Sequence, residues 1–484
     1  MINVSAAFKN MMSSNVRPNC GIKINVIDVS GTEANPIETL LFSWTSSEIS
    51  DLKFTWEIDP FCRALPHIEL QWREIYNGKL TEDLYPEKYQ NVFPYLSVDI
   101  EFIQDLDFFA TWKTLKDSGT TWKDIVDAQK TWKQIKKEVP FESVKMPRLF
   151  LRSKPVYERN TVIWEAADCL SFLEDPMTGR YYDVSLINII PAIMIVSSSF
   201  YFANQNLHMA YDQTRKNIEA VMDAVEIGKS IIYQGKTNEL LMNYASVFNR
   251  YIKFHGDGSF TFANIGFAAL SDTDYHFKEK LLYDNPTTTR GTNISAYTFD
   301  RSRISLDTAN KYRVEEYDVE QNVAVFRFKG YGTCLPSDNT HIVLYGDDTT
   351  YAITDISSDP NLMFVIVTPI NIVADTFSQN VNSIGDVYEE KNPLNPYDLT
   401  SQYVTNRIAK LNEYFKNEYS TFEFSCLPNV ALEPTDVVEV DTLFFDDEGQ
   451  RIEKQAMICK VELSYNGALR EKIIAHEVSD IGKG

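Results

Sequence analysis

No HExxH, GxSxG, Walker A or GxGxxG motif occurs in the 484 residues, so the local signatures of zinc peptidases, α/β-hydrolases, P-loop nucleotidases and dinucleotide-binding enzymes are missing. The six histidines (His67, His208, His255, His276, His341 and His476) are far apart, and none has a second histidine or a cysteine at helical spacing, the arrangement many local metal sites rely on. The six cysteines (Cys20, Cys62, Cys169, Cys334, Cys426 and Cys459) form no CxxC and no Cys/His cluster; they read as buried thiols of a chain assembled in a reducing cytoplasm. Positive charge is scarce. Against 68 Asp and Glu there are 46 Lys and Arg, a net charge of -22, which argues against a phosphate-binding surface for the chain as a whole. Met1 to Lys9 lacks the apolar run of a signal peptide. Val184 to Ala203 carries no charge and imitates a membrane span, but Asn188, Pro191 and Ser197 to Ser199 would be costly in lipid. A buried helix plus strand is expected there, and no stable membrane insertion. GDGS at Gly256 to Ser259 lacks the later Glu of a calcium loop, so neither a metal nor any cofactor is expected.

What is present is β-rich. Aromatics make up 13% of the chain, which suits sheet packing and large interfaces. The length is that of about three domains. Residues 1 to 20 read as a short helix broken at Pro18, Gly21 to Val29 and Leu40 to Trp44 as strands, and Met146 to Leu151 and Val156 to Glu165 as further strands. Asn217 to Ile232 and Lys236 to Tyr251 read as helices, the second with Leu240, Leu241, Tyr244 and Phe248 along one stripe. A hairpin follows, turning at Gly256-Asp257-Gly258. Strands are expected at Asn322 to Gly330, His341 to Tyr345 and Leu362 to Val373, then a polar linker from Asn380 to Pro396. An amphipathic helix from Leu399 to Phe415 is expected to bury Tyr403, Val404, Ile408, Leu411 and Phe415.

A repeat stands out between the first strands. TWKTLKDSGT, TWKDIVDAQK and TWKQIKKEVP begin at Thr111, Thr121 and Thr131, and Trp112, Trp122 and Trp132 are each followed three residues later by Leu115, Ile125 or Ile135. Each unit reads as a helical turn, with a Thr able to cap and an apolar pair at i and i+3. The three tryptophans are candidate interface residues, docked on this chain or a neighbour; stacking on sugars or bases is the competing reading.

The last stretch carries the strongest wording. Leu432 to Val440 reads LEPTDVVEV, with Pro434 and Asp436, and Leu463 to Leu469 reads LSYNGAL, with Tyr465, Asn466 and Gly467. Earlier segments have the same flavour. Ile58, Asp59, Pro60, Arg63, Leu65 and Pro66 precede Glu69, Leu70 and Trp72, with Phe61-Cys62 where a glycine is usual. Ala166, Asp168, Leu170 and Leu173 suggest a helix on which Asp168 would cap or face solvent. Asp274, Tyr275, Phe277, Tyr283 and Pro286 make a further pattern. In this order the motifs resemble those of the tail hub, or baseplate hub, proteins of long-tailed bacteriophages. That family includes the hubs of contractile baseplates and the N-terminal part of siphophage tail-associated proteins.

The resemblance implies a β-rich α+β fold, with two small tail-tube-like antiparallel β-barrels and inserted α+β domains. It places the first hub barrel in residues 1–110 and 140–165 and the Trp-repeat insertion in 111–139. A mainly helical domain then takes 166–252, an α+β domain 253–385, and the linker helix with the second hub barrel 386–484. It implies a non-enzymatic virion structural protein at the tail tip, assembled in the host bacterial cytoplasm. Three chains presenting six barrels would match a threefold tip to a sixfold tube. Implied partners are a distal tail or tail-tube protein, the tape measure protein, receptor-binding or fibre proteins, and DNA in transient, non-specific passage. Two other readings stand beside it: a carbohydrate-binding adhesin or tail-associated hydrolase, and another virion structural protein such as a collar or neck component.

Overall fold

The computed structural model describes residues lying within 2–12, 20–75, 96–104, 121–123, 142–182, 231–305, 314–392, 402–445 and 449–478, with breaks inside several of these spans. A short helix, α1 (Ala6–Met12), opens the chain. Ser5 Oγ accepts from Phe8 N at 3.1 Å and caps it, and Phe8, Met11 and Met12 are buried.

Nine strands follow: β1 (Cys20–Thr32), β2 (Asn35–Thr45), β3 (Ile49–Glu57), β4 (His67–Ile75), β5 (Ser97–Gln104), β6 (Glu142–Lys145), β7 (Leu149–Leu151), β8 (Val156–Glu158) and β9 (Thr161–Ala167). The main run pairs in the order β3-β4-β9-β7-β5-β1-β2. Alternation makes these strands half-buried: Leu52, Phe54 and Trp56 of β3, Ile68, Leu70 and Trp72 of β4, and Val98, Ile100 and Phe102 of β5 all face the core. Trp72 and Trp164 are register partners on β4 and β9, with rings stacked at 5.8 Å. Trp44 belongs to β2, at the far edge of this order, yet its ring lies 5.5 Å from Trp72 and 5.1 Å from Trp164. The group must therefore curl until its two ends face each other. The stretch Val156 to Glu165, expected as one strand, is a hairpin of β8 and β9 turning at Arg159, whose φ is 37°. The expected helix through Ala166 and Leu170 is the end of β9 followed by one 3₁₀ turn, Cys169–Phe172.

The middle of the chain holds β10 (Arg180–Tyr182) and β11 (Ile231–Tyr233), which pair with each other, helix α2 (Thr237–Val247), and the hairpin β12 (Arg250–Phe254) with β13 (Phe260–Asn264). Helix α2 ends before Arg250, because Tyr251 is already in a strand rather than in the helix expected to reach it. Ile231 and Ile232, expected to end a helix, are also in a strand; the rest of that helix and the stretch Val184 to Ala203 lie outside the described residues. After β14 (Tyr275–Phe277) and β15 (Thr287–Arg290), β16 (Ile294–Ser305) is the centre of a three-stranded sheet. Six short strands come next: β17 (Val314–Asp318), β18 (Val323–Phe328), β19 (Cys334–Pro336), β20 (His341–Leu344), β21 (Thr350–Ala352) and β22 (Phe364–Pro369). They form the small antiparallel sheets β17-β18-β22 and β19-β20-β21. The flanks of β16 are β23 (Asn371–Asn380) and β24 (Asp386–Lys391). Strand β24 lies inside the segment expected as a linker. Its polar sequence misleads because Glu390 is buried and has a partner on helix α3 (Gln402–Phe415), namely Arg407. Val404, Ile408 and Leu411 of α3 are buried as expected.

The chain ends in β25 (Ser420–Cys426), β26 (Val437–Phe445), β27 (Arg451–Tyr465) and β28 (Leu469–Glu477). They pair in the order β25-β28-β27-β26, and β14 adds to β26 in parallel while β15 adds to β25. The single segment Tyr275–Arg290 thus spans both edges of the group. Between its two strands, Leu427 N donates to Leu281 O at 2.8 Å and Tyr283 N to Ser425 O at 2.9 Å. The rings of Phe277 and Phe424 meet at 5.0 Å, so this group curls as well. The protein is accordingly a β-rich α+β fold.

The expectation of two separate barrels needs one correction. Among the described residues neither group closes on itself through strand pairing alone, and the two are fused edge to edge. Strand β27 pairs with β3, Val461 opposite Trp56 and Leu463 opposite Phe54, giving one 15-stranded sheet. The fusion follows from apolar matching, since all four side chains are buried in the same core. Among the described residues no helix is long and apolar enough to cross a membrane.

Candidate assembly interface

The described motif residues sit mostly at turns and strand ends, and two of them, Asp59 and Tyr465, lie where the two strand groups join. Asp168 follows β9 and is 1% exposed. One carboxylate oxygen accepts from Ile68 N at 2.8 Å, the other from Leu170 N at 2.9 Å and Ser171 N at 3.2 Å. It caps the 3₁₀ turn and ties that turn to β4, and it does not face solvent. Burial pushes its carboxyl up, opposed by these N–H donors and by His67 beside it.

Asp59 follows the β3–β27 seam, where Ile58 N donates to Cys459 O at 2.9 Å. Pro66 is buried immediately before β4, a strand start where no N–H is needed. Pro286 is buried in the same position before β15. The Tyr275 hydroxyl donates to Met12 O, joining β14 to α1, and its ring meets Phe277 edge-on at 4.9 Å. Pro60, Arg63, Asp274, Trp112, Trp122 and Trp132 lie outside the described residues.

Pro434 and Asp436 belong to one tight turn. Asp436 N donates to Glu433 O at 3.1 Å, and the Asp436 carboxylate accepts from Glu433 N at 2.8 Å. Thr435 sits between them at φ 84°. Proline second and a left-handed residue third is the type II pattern, a place that glycine normally fills. The turn is anchored to the sheet by Thr435 N to Ile458 O at 2.8 Å and Ile458 N to Asp436 O at 2.9 Å. Asp436 is 4% exposed, and burial pushes its carboxyl up to about 7, opposed in part by the Glu433 N–H.

Tyr465, Asn466 and Gly467 shape the β27–β28 hairpin, in which Tyr465 pairs with Leu469. Gly467 has φ 97°, which explains its place in a three-residue loop. The Tyr465 hydroxyl donates to Ser46 O at 3.4 Å, joining this hairpin to the β2–β3 turn. The two hairpins border a cleft of about 650 Å³ lined by Lys23, Gln104, Tyr283, Pro428, Tyr465 and their neighbours. Among the described residues no Asp or Glu lines it.

Two side-chain groupings were invisible in the sequence. Arg407 Nε and Nη2 both lie 3.0 Å from Glu390 Oε2, and Arg407 Nη2 reaches Ser246 Oγ at 3.3 Å, binding α3, β24 and α2 into one buried network. His276 meets Asp441 across β14 and β26 at 2.8 Å. Neither pairing has a local spacing that could have signalled it. On the outer surface, β2 pairs with β1 on one side, no described strand pairs with its other side, and Ile37 and Leu40 on it are 61% and 59% exposed.

No family model matches the sequence, and no curated protein matches it. Among solved structures, the tail protein from Neisseria meningitidis MC58 aligns over 95% of this chain and 97% of its own, at 8% identity and a TM-score of 0.39. The 43 kDa tail protein of prophage MuSo2 from Shewanella oneidensis aligns over 94% and 98%, at 9% identity and a TM-score of 0.38. An Escherichia coli type VI secretion component, described as structurally similar to T4 bacteriophage tail proteins, aligns over 90% and 74%, at 5% identity and a TM-score of 0.35. At such overlaps the functional reading rests on the chain's own residues. What the chain is similar to, in its sequence motifs and among solved structures, is the group of phage tail and baseplate hub proteins.

Proposed function

We propose that this chain is a non-enzymatic structural protein of the virion tail tip, the hub of a long-tailed bacteriophage. The observation that carries the reading is the pair of curled, mainly antiparallel strand groups fused through β3 and β27. One chain then offers two barrel-like units joined through one sheet, and three chains offer six. That is the geometry needed to match a threefold tip to a sixfold tube, to nucleate the tube, and to form a conduit for DNA ejection. The order of motifs from Ile58 to Leu469 supports the same reading.

In this proposal residues 1–110 and 140–165 form the first unit and 386–484, with the linker helix, the second. The Trp-repeat insertion is 111–139, the mainly helical insertion 166–252 and the α+β insertion 253–385. The homotrimer contacts a distal tail or tail-tube protein above, the tape measure protein within, and receptor-binding or fibre proteins outside. The edge of β2 that no described strand covers, with Leu40 exposed on it, is a surface that a neighbouring chain would cover by strand addition. Trp112, Trp122 and Trp132 are proposed as further contacts. The acidic balance of -22 supports a lumen that is net negative or neutral, past which phosphates slide without counterion release.

The test is a reconstruction of the tail tip by electron microscopy, with native mass spectrometry of the purified chain and its partners. The proposal expects three copies in a ring around an open or plugged channel wide enough for a duplex about 20 Å across. A single copy or a sixfold ring of this chain in the virion overturns it. A solitary particle that binds glycans at a cleft would favour the adhesin instead.

A further inference from the structure

Three neighbouring strands bring His276, Asp441 and Glu453 together on one face. His276 lies on β14, Asp441 on β26 and Glu453 on β27. Their ligand atoms all fall within 4.8 Å of one another. His276 Nε2 is 2.8 Å from Asp441 Oδ1 and 3.6 Å from Glu453 Oε1. A tetrahedral divalent ion with bonds of about 2.0–2.1 Å holds its ligands roughly 3.3 Å apart, and the two measured distances bracket that value.

The surroundings are those of a ligating imidazole. The other ring nitrogen, Nδ1, faces Glu439 Oε2 at 3.5 Å. A carboxylate behind the second nitrogen fixes ring orientation and raises ligand basicity. The second oxygen of Asp441 accepts from Glu279 N at 2.7 Å, which holds Oδ1 towards the histidine. Asp441 is only 14% exposed and His276 22%, whereas Glu453 is 56% exposed. Two ligands are therefore set in the sheet, and the third is free to adjust.

Register supplies a separate argument. Asp441 and Glu453 are direct cross-strand partners, and Glu439 is two residues along the same face. Like charges placed directly opposite destabilise a sheet. The cross-strand partner of Glu439 is the neutral Gln455, and Lys454, at the alternate position, pairs with Glu477 at 2.7 Å. Three carboxylates thus converge on one imidazole, and a divalent cation offsets more of their charge than a single imidazolium would.

We propose that His276 Nε2, Asp441 Oδ1 and Glu453 Oε1 bind a divalent first-row transition ion, with Glu439 orienting the histidine and a water in the fourth position. The mixed imidazole and carboxylate donors select an ion of the zinc or manganese type over calcium, which takes oxygen ligands. The ion would clip β14, a strand of only three residues, onto β26. It would thereby fasten the segment that spans both edges of the C-terminal strand group.

The experiment uses the full chain, stripped with chelator, titrated with Zn²⁺, Mn²⁺ and Ca²⁺ by calorimetry and followed by thermal unfolding. One Zn²⁺ per chain should bind at micromolar concentration and raise Tm, with little response to Ca²⁺. Glu453→Gln, at an exposed position, should weaken Zn²⁺ binding by about tenfold or more while the metal-free Tm stays level or rises. His276→Ala should abolish the binding, with far-UV circular dichroism checking its fold. Binding absent at micromolar Zn²⁺, or equal in the parent chain and Glu453→Gln, overturns the proposal.

Discussion

Arg407 and Glu390 meet at 3.0 Å with 1% and 7% of their side chains exposed. Ser246 Oγ bridges them, donating to Glu390 Oε1 at 3.3 Å while accepting from Arg407, and the Tyr388 hydroxyl adds a fourth member. Removing one partner leaves a buried charge unpaired, a loss of about 3–5 kcal/mol. Arg407→Met should therefore lower the chemical-denaturation midpoint strongly. Arg407→Met combined with Glu390→Leu should recover part of that loss, since an apolar replacement of both charges is often neutral. A double variant no better than the single one would refute the assignment of the cost to the stranded carboxylate.

Asp436 predicts a pH dependence. Its carboxyl is raised to about 7 in the folded chain by burial, from an ordinary value of 3.8. A raised carboxyl adds stability that is fully present below the unfolded pKa and is lost as pH rises through the folded one. Relative to Asp436→Asn, the parent chain should therefore lose stability between pH 4 and 7, by at most about 1.4 kcal/mol per pH unit. Denaturation midpoints of both chains across that window measure it; parallel curves would count against it.

Thr435 occupies a left-handed position, φ 84°, without being glycine. A β-branched residue there costs of order 1–3 kcal/mol. Thr435→Gly should stabilise the chain by roughly 1 kcal/mol once the greater flexibility of unfolded glycine is subtracted. Its weak partner, the Tyr251 hydroxyl at 3.4 Å, takes little from that gain. A lower Tm for Thr435→Gly would show that the threonine is held there by something stronger.

Gly258 makes the opposite prediction. Its φ is 85°, and an added Cβ would lie 3.1 Å from the backbone oxygen of Arg148. The β12–β13 hairpin docks there, since Arg148 N donates to Gly256 O at 3.3 Å. Gly258→Ala should cost about 1–3 kcal/mol. Hydrogen exchange should find the loss concentrated in Arg250–Asn264 and Arg148, and an unchanged exchange pattern would contradict this docking.

Strands with one wet and one dry face were legible in the sequence. Gly21 to Val29 and Leu40 to Trp44 appear as β1 and β2 because period-two alternation survives wherever a sheet is half-buried. Ala166 to Leu173 looks helical in sequence because apolar residues four apart also arise where a strand ends and a tight turn begins. Polar β24 looks like a linker because Glu390 looks solvated until Arg407, on another element, is placed against it. The hairpin turning at Gly256 to Gly258 was visible, since glycine acts locally, whereas the turn at Pro434–Asp436 was not. The His276 grouping was not, since Asp441 is 165 residues away and only sheet register brings it near.

The seam between β3 and β27 also sets an order of events during synthesis. The hydrogen bond from Tyr465 to Ser46 closes a loop of 419 residues. Until the last strands leave the ribosome, at about 5–20 residues per second, the edge of β3 carrying Phe54 and Trp56 has no partner. The first strand group must wait, through most of the chain's translation, with a sticky edge open to any other nascent copy. A chain built this way would therefore gain from a chaperone, or from an early partner that shields β3 and then yields its place to β27.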